Sequence, residues 1–540
     1  MKSPASHCQL ARFRFAAMLC ALLLGIGACS AFATDVVTYH NDIARTGQNL
    51  AETTLTLSNV NSSGFGKVFS VSVDGVIDAE PLYLSAVPVA HMGTHNVLYA
   101  VTENDTVYAV DADTGAALWH VSLLGQNESA SGDHGCGQIT PQIGIAATPV
   151  IDRGSGRHGT MYVVAMSKNS SNQYFQRVHA LDITNGKEEF GGPVTIQAQF
   201  PGTGDNSKNG FVVFDPAQYA ERAGLLLLNH VIYTAWTSHC DDRPYTGWLI
   251  GYHAGSLAQT SILNVTPNGN EGAIWQAGGG LAATGKDFFF LDGNGIFDTD
   301  LDANGFPSQG DYGNAFVRVS TKSGQMAVAD YFTMYNTVDE SNADEDLGSG
   351  GVMVLPTMTD SKGKKKNLVI GAGKDSNIYI VNRANMGKFN PNNDNAIYQE
   401  IDGALPGGMW ATPAYFNGSV YFGPEGFQMR QFQFSNAKLG TTPTSKSATY
   451  FEYPGTSPSI SANGSANGIV WAIEHVGGSD VLHAYDATNL GNELYNSNQA
   501  GSRDHFGTAS HFGTPMIVNG KVYVGTSSGV AAFGLLNKAR

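Results

Sequence analysis

The densest run of metal-capable side chains is Asp292-Gly293-Asn294, followed by Asp298-Thr299-Asp300-Leu301-Asp302-Ala303-Asn304-Gly305. Carboxylates at i, i+2 and i+4, here Asp298, Asp300 and Asp302, are what a loop needs to converge oxygens on a hard cation such as Ca2+. The sixth position is Ala303, where a calcium loop turns on Gly, and Gln309 stands where a bidentate Glu would complete an EF-hand. A solvated acidic turn is therefore the first reading and a calcium loop the alternative. A second acidic cluster, Asp344-Glu345-Asp346, runs into the Gly-rich stretch Gly348–Gly351. Other chemistries find little. C-x-x-C-H is absent, which excludes covalent c-type haem. His134, His230, His239 and His511 lack metal-ligand spacing and read as hydrogen-bonded structural residues. Gly371-Ala372-Gly373-Lys374 looks like a phosphate loop only superficially, since strands flank it and no helix follows. Lys362-Gly363-Lys364-Lys365-Lys366 reads as a solvated hairpin tip. Trp236, Trp248, Trp275 and Trp410 offer a face for sugars, although packing between sheets explains them more simply.

The compartment in which such a site would work is written at the N-terminus. Lys2, Arg12 and Arg14 precede an apolar run from Phe15 to Gly27, which ends in Ala31-Phe32-Ala33, an A-x-A cleavage pattern. Residues 1–33 read as a signal peptide and Thr34 as the mature start, giving a periplasmic or secreted protein. Ile26-Gly27-Ala28-Cys29 supplies the rival, a lipid anchor at Cys29. Removing Lys2, Arg12 and Arg14 with the leader takes the formal charge from −16 to −19. Such a surface repels nucleic acid and anionic membrane, and no later run is long and apolar enough to span a bilayer. Cys8, Cys20 and Cys29 lie in the leader, so Cys136 and Cys240 remain as a pair for a disulfide in an oxidising compartment.

The elements that must carry these residues are short strands. Gly accounts for 65 of 540 residues, which suits tight turns. One unit runs from Asn96 to Val101, turns at Glu103-Asn104-Asp105, and continues through Thr106–Asp111 into Ala112-Asp113-Thr114-Gly115 and Leu118-Trp119. It returns as Met161–Val164 with Val178–Asp182, and as Val481–Asp486 with Leu494-Tyr495. Glu80-Pro81, Thr148-Pro149, Thr412-Pro413, Ser457-Pro458 and Thr514-Pro515 precede many copies, and the intervals 81 to 149, 413 to 458 and 458 to 515 are roughly 45–70 residues. An all-strand period of that size means propeller blades. The expected fold is all-β: a single-domain β-propeller of four-stranded antiparallel blades over 64–537, eight-bladed with seven as the alternative, after an N-terminal extension over 34–63. Repeats fall near 77–119, 144–190, 222–263, 272–332, 350–400, 408–434, 457–495 and 512–535. The last lacks an outer strand, which Phe65–Val71 is placed to supply.

Ala109, Asp111, Thr114, Gly115 and Trp119 match the tryptophan-docking motif of the pyrroloquinoline quinone (PQQ) repeat at every fixed position. The chain thus resembles the quinoprotein alcohol dehydrogenases and their non-catalytic propeller relatives. The resemblance implies that the Trp packs between blades; it does not by itself imply catalysis. It extends to Trp275-Gln276-Ala277-Gly278-Gly279-Gly280 and Gly293-Asn294-Gly295, a stretch similar to that in which the family places a calcium-ligating Asn. By that likeness Trp275 and Gly279 are cofactor-binding candidates, Asn294 a metal ligand and Asp344 the catalytic base. Asp346 falls where lanthanide-using members add a carboxylate. The implied cofactors are PQQ with Ca2+ or a lanthanide.

The chain departs from the family where the quinone should sit. The adjacent cysteine pair is replaced by Cys136-Gly137, and Gln138–Gly144 holds no cofactor-binding Arg. Ser167-Lys168-Asn169-Ser170 replaces the ligating Glu, and Leu281-Ala282-Ala283 the aromatic floor. The primary expectation is a binding or scaffolding propeller for a small molecule, glycan or envelope protein. The alternative is a PQQ-dependent alcohol or sugar dehydrogenase with a diverged site.

Overall fold

The structure, a computed structural model, describes residues 34–536. The signal-peptide and Cys29 readings lie outside the described residues. Four-stranded antiparallel meanders succeed one another along the chain. They run from Leu82–Val89 to Ala117–Ser122, from Val150–Asp152 to Val194–Thr195, and from Leu226–Leu228 to Gln259–Asn264. Next come Ala282–Thr284 to Ala327–Phe332, Met353–Val354 to Gln399–Ile401, Ala414–Phe416 to Ser445–Phe451, and Ser459–Asn463 to Glu493–Asn496. The last sheet holds Met516–Val518, Lys521–Thr526 and Gly529–Leu535, and Phe65–Ser72 pairs antiparallel with Gly529–Leu535 as its fourth strand. The closing strand expected from Phe65–Val71 is therefore present, and it covers what would be an open edge.

Two local devices recur between sheets. Asp111 Oδ1 accepts from the amides of Asp113 and Thr114 and from the Thr114 hydroxyl, which folds the polar turn. Asp182 and Asp486 do the same with Thr184 and Thr488. The turn then needs a left-handed residue, which is Gly115 (φ +79°) in one copy and Gly186 (φ +70°) in the next. A Cβ on Gly186 would lie 2.8 Å from Trp119 Cζ3, so the Trp docks against the next sheet's turn as the motif implies. At Gly115 the corresponding neighbour is Phe69, from the closing strand. The second device is a tyrosine hydroxyl that donates to the carbonyl of the first residue in the next sheet's turn. Tyr523 reaches Ala112 (2.8 Å), Tyr99 Ile183 (2.9 Å), Tyr162 Ala254 (3.0 Å) and Tyr421 Ala487 (2.5 Å).

The stretch that reads in sequence as an N-terminal extension touches the first strand of seven of these eight sheets and, through Arg45, the residue just before the first strand of the other, Leu226–Leu228. Val36 bridges Tyr83, and the Val37 carbonyl accepts from Ile151. Ile43, Ala44, Thr46 and Gly47 accept from the amides of Ala283, Val354, Tyr415 and Ile460 in turn. Asn49 Nδ2 donates to the Ile517 carbonyl. Arg45, fully buried, donates to the carbonyls of Leu281, Tyr39 and Leu225 and to Thr38 Oγ1. The segment thus satisfies strand-edge groups that would otherwise be buried without partners.

Two details differ from the sequence reading, and the tryptophans divide between its two alternatives. The sixth repeat extends beyond 434, because Ser445–Phe451 pairs with Phe427–Ser435. Its polar, alternately exposed residues carry little apolar signal. A six-residue helix, Thr337–Asn342, interrupts the strand pattern just before Asp344. Trp236 and Trp248 are wholly buried between sheets, while Trp275 and Trp410 are half-buried. Among the described residues no helix is long and apolar enough to cross a membrane. The basic tip at Lys362–Lys366 does join a hairpin, Met358–Thr359 with Lys365–Lys366.

Candidate functional site

Loops leaving these sheets meet around a cleft of about 240 Å³. Cys136 and Gln138 come from the loop after the first sheet, and Cys240 and Asp241 follow strand Val231–Thr237. Trp275 precedes the Ala282–Thr284 strand; Asp344 and Asp346 follow the short helix. Lys374 follows Leu368–Gly371, Trp410 precedes Ala414–Phe416, and Tyr453 follows Ser445–Phe451. No two neighbouring loops supply the whole set, so the ring of sheets assembles it.

Cys136 and Cys240 form a disulfide with a Cα–Cα distance of 5.4 Å, which ties two of these loops together. Beside it His134 and His239 stack face to face, with centroids 3.9 Å apart. Burial lowers both imidazoles, His239 to about 4, so the stack is uncharged at neutral pH. Tyr453 Oη donates to Gln138 Oε1 (2.8 Å), and its ring meets Trp410 edge-on at 5.9 Å.

The acidic wall is organised by Lys374. Its ammonium lies 2.5 Å from Asp344 Oδ1 and 2.6 Å from Asp346 Oδ1. Burial pulls the ammonium pKa down, but the pairs with Asp346 and Asp344 outweigh it and hold the group charged. Burial raises Asp346 to about 6 against the pull of Lys374. Asn294 Nδ2 donates to Asp344 Oδ1 (2.7 Å), while its buried Oδ1 has no partner. Behind them Asp292 is fully buried; its Oδ1 accepts from the Ala315 amide and its Oδ2 from nothing, and burial pushes its pKa well above the usual carboxylate range. Asp344, Asp346 and Trp275 therefore line one cleft, and Asn294 joins them through Asp344.

Other expected residues lie elsewhere. Gly279 does not line the cleft; a Cβ there would meet Thr412 Oγ1 at 2.4 Å, so its role is close backbone packing. Asp298 and Asp302 spend side-chain oxygens on their own loop, and Asp300 is exposed. Asp298 accepts from Asp300, Gln309 and Ser308, and Asp302 from the Asn304 and Phe306 amides. Among the described residues no three carboxylate, imidazole or thiol groups converge closely enough to hold a metal as they stand. Ser167, where the resemblance expects a ligating Glu, donates to Glu128 in an ion pair with Arg177.

Three contributors escaped the sequence reading. Lys374 looked like a failed phosphate loop, and Tyr453 carried no motif. Arg222, buried behind Trp275, lies 5.8 Å from the ring centroids of both Trp275 and Phe512. Its Nη1 donates to Ala146, and Nε and Nη2 have no partners. Their common signal is an uncommon basic or aromatic residue directly beside a strand end.

No protein-family model matches this sequence, and no curated protein does. Among solved structures the chain is similar to quinohemoprotein alcohol dehydrogenase from Pseudomonas putida HK5, with TM-score 0.61, 13% identity, and 94% of this chain covering 81% of that one. It is similar to the quinohemoprotein alcohol dehydrogenase of Comamonas testosteroni at TM-score 0.59 and the same identity and coverage. At that identity the likeness concerns the fold: a β-propeller of quinoprotein type.

Proposed function

We propose that this chain is an exported, single-domain, eight-bladed β-propeller that binds a small polar organic ligand in the cleft. The observation that carries this reading is one concave site with aromatic walls at Trp275, Trp410 and Tyr453 and the Lys374–Asp344–Asp346 ion cluster. Apolar faces with a few fixed polar groups are the design of small-molecule sites, and about 240 Å³ suits a sugar-sized molecule better than a protein segment. The four-stranded units and the closing strand support eight blades, and the leader pattern at 1–33 supports export to the periplasm or beyond. A monosaccharide or short oligosaccharide fits this chemistry, its ring stacking on indole and its hydroxyls bridging carboxylate and ammonium.

A second reading, a diverged PQQ- and metal-dependent alcohol or sugar dehydrogenase, is favoured by the orphaned Asn294 Oδ1 near Asp344 and Asp346. The residues fit that cofactor pair only in part. Asn294 and Asp346 would give a hard cation two oxygen donors, but the third carboxylate is missing and the Lys374 ammonium already holds Asp346. The disulfide joins distant loops rather than adjacent residues. We derive no reaction step through the quinone.

Titration calorimetry of the mature protein, with a sugar panel and with PQQ plus Ca2+ or a lanthanide, separates the readings. Saturable sugar binding that Trp410→Ala abolishes is expected. Saturable PQQ binding with dye reduction, both lost in Asp344→Ala and Asn294→Ala, would replace the first reading with the second. Capture of an envelope protein without any small-molecule binding would overturn both.

A further inference from the structure

A second cleft, of about 340 Å³, opens beside the short helix and is entirely distinct in chemistry from the first. Glu340, Asp394, Glu400 and Asp402 line it, with the amides of Asn377 and Asn393 among its walls. No Lys, Arg or His lines it. Glu340 is only 6% exposed, and its Oε2 has no hydrogen-bond partner. Just behind, Asp375 Oδ2 accepts from Tyr379 Oη (2.5 Å) and Asn377 Nδ2 (3.1 Å), which orients that carboxylate. Asp394 Oδ1 accepts from the Tyr335 amide, leaving its second oxygen for the cleft.

We propose that this cleft is a binding site for a hard divalent cation of the calcium class, coordinated by Glu340, Asp394 and Glu400 with amide oxygens of the neighbouring asparagines. Four acidic side chains around one cavity without a counter-cation repel each other, and a buried carboxylate oxygen without a donor is costly. A divalent ion relieves both costs. Oxygen-only ligands select Ca2+ over transition metals, and its flexible shell of about six to eight oxygens tolerates ligands that close by side-chain rotation. Such rotation is required, because no three of the carboxylates yet converge on one point. The ion would also brace Glu340, four residues before Asp344, and Asp375, next to Lys374. It would thereby stiffen the loops that present the first cleft's ion cluster.

The test is titration of chelator-treated full-length mature protein with Ca2+, read by calorimetry and by Tb3+ luminescence sensitised through Tyr335 and Tyr379. One saturable Ca2+ site is expected, with Ca2+ displacing Tb3+. Glu340→Gln and Glu400→Gln should each weaken binding by about tenfold or more, with circular dichroism confirming the fold. Asp346→Asn, in the other cleft, should leave the Ca2+ affinity unchanged. Absence of Ca2+ heat and of sensitised Tb3+ emission in the wild type would overturn the proposal. So would Ca2+ binding that Glu340→Gln leaves intact and Asp346→Asn removes. Sugar binding in the first cleft is scored separately, so either proposal can fail alone.

Discussion

Lys374 is the side chain on which the candidate cleft turns, because it holds two carboxylates, one of them nearly buried, within 2.6 Å. Removing a partner from a buried ion pair strands the other charge, whereas removing both can be neutral. Lys374→Met is therefore expected to destabilise the protein by about 3 kcal/mol, and Lys374→Met with Asp346→Asn by much less. Urea denaturation of the four members of that cycle measures the coupling, and additive losses would show that the pair does not act as one. Asp346 titrates near 6, so it gains its charge between about pH 5 and 7. Binding of a hydroxyl-rich ligand that donates to this carboxylate should strengthen over that interval, and Asp346→Asn should remove the pH dependence. At this scale the cysteine pair was legible from cysteine number and compartment, while Trp275, Asn294, Asp344 and Asp346 were reached only through the family resemblance. Trp275, Asp344 and Asp346 do share one cleft, with Asn294 joined through Asp344. Lys374, Tyr453 and Arg222 were not legible, because nothing local marks which strand-end residue a distant loop will face.

The repeat device belongs to the strand and its turn. Asp111, Thr114, Gly115 and Trp119 were legible because each does a local job: side-chain capping, a left-handed backbone, and an aromatic at fixed distance. The tyrosine that spans to the next sheet was invisible as a rule, since its acceptor is a backbone carbonyl some 84 residues away at Tyr99. Tyr99→Phe leaves the Ile183 carbonyl buried without that donor and should cost about 1–2 kcal/mol, read as a lower midpoint in urea at unchanged slope. An unchanged midpoint would mean that water replaces the hydroxyl. Ser445–Phe451 was missed for the opposite reason. An outer strand exposes alternate residues, so its sequence is polar and its pairing depends on Phe427–Ser435 being there first.

Stability of the whole molecule should depend on pH through acids the ring has buried. Burial raises Glu80 to about 8 and Glu103 and Asp292 well above their ordinary range. A carboxyl raised in the folded state stabilises fully below its unfolded pKa and loses that contribution as pH climbs through the folded value. His40 and His239, lowered by burial, act oppositely, and their contribution is complete above about 6.5. The melting temperature should therefore fall between about pH 6.5 and 8.5, and Glu80→Gln should flatten that fall; a rise over the same interval would contradict the buried-acid account. Glu80 is in this position because its Oε2 accepts from the His40 amide of the N-terminal segment, a contact no local pattern announces. The sequence by itself determined the repeating strands, their Asp/Thr-Gly turns, the docking Trp and the closing strand, since each follows from side-chain period and turn chemistry within a few residues. Only the tertiary structure decided that Val36–Asn49 runs along the first strands of seven sheets, that the Cys136–Cys240 bridge, Trp275, Asp344 and Asp346 share one cleft, and that Glu340 lines another with Asp394 and Glu400. These are meetings of loops far apart in the chain, and their geometry is set by closing the ring of sheets rather than by any residue's neighbours in sequence.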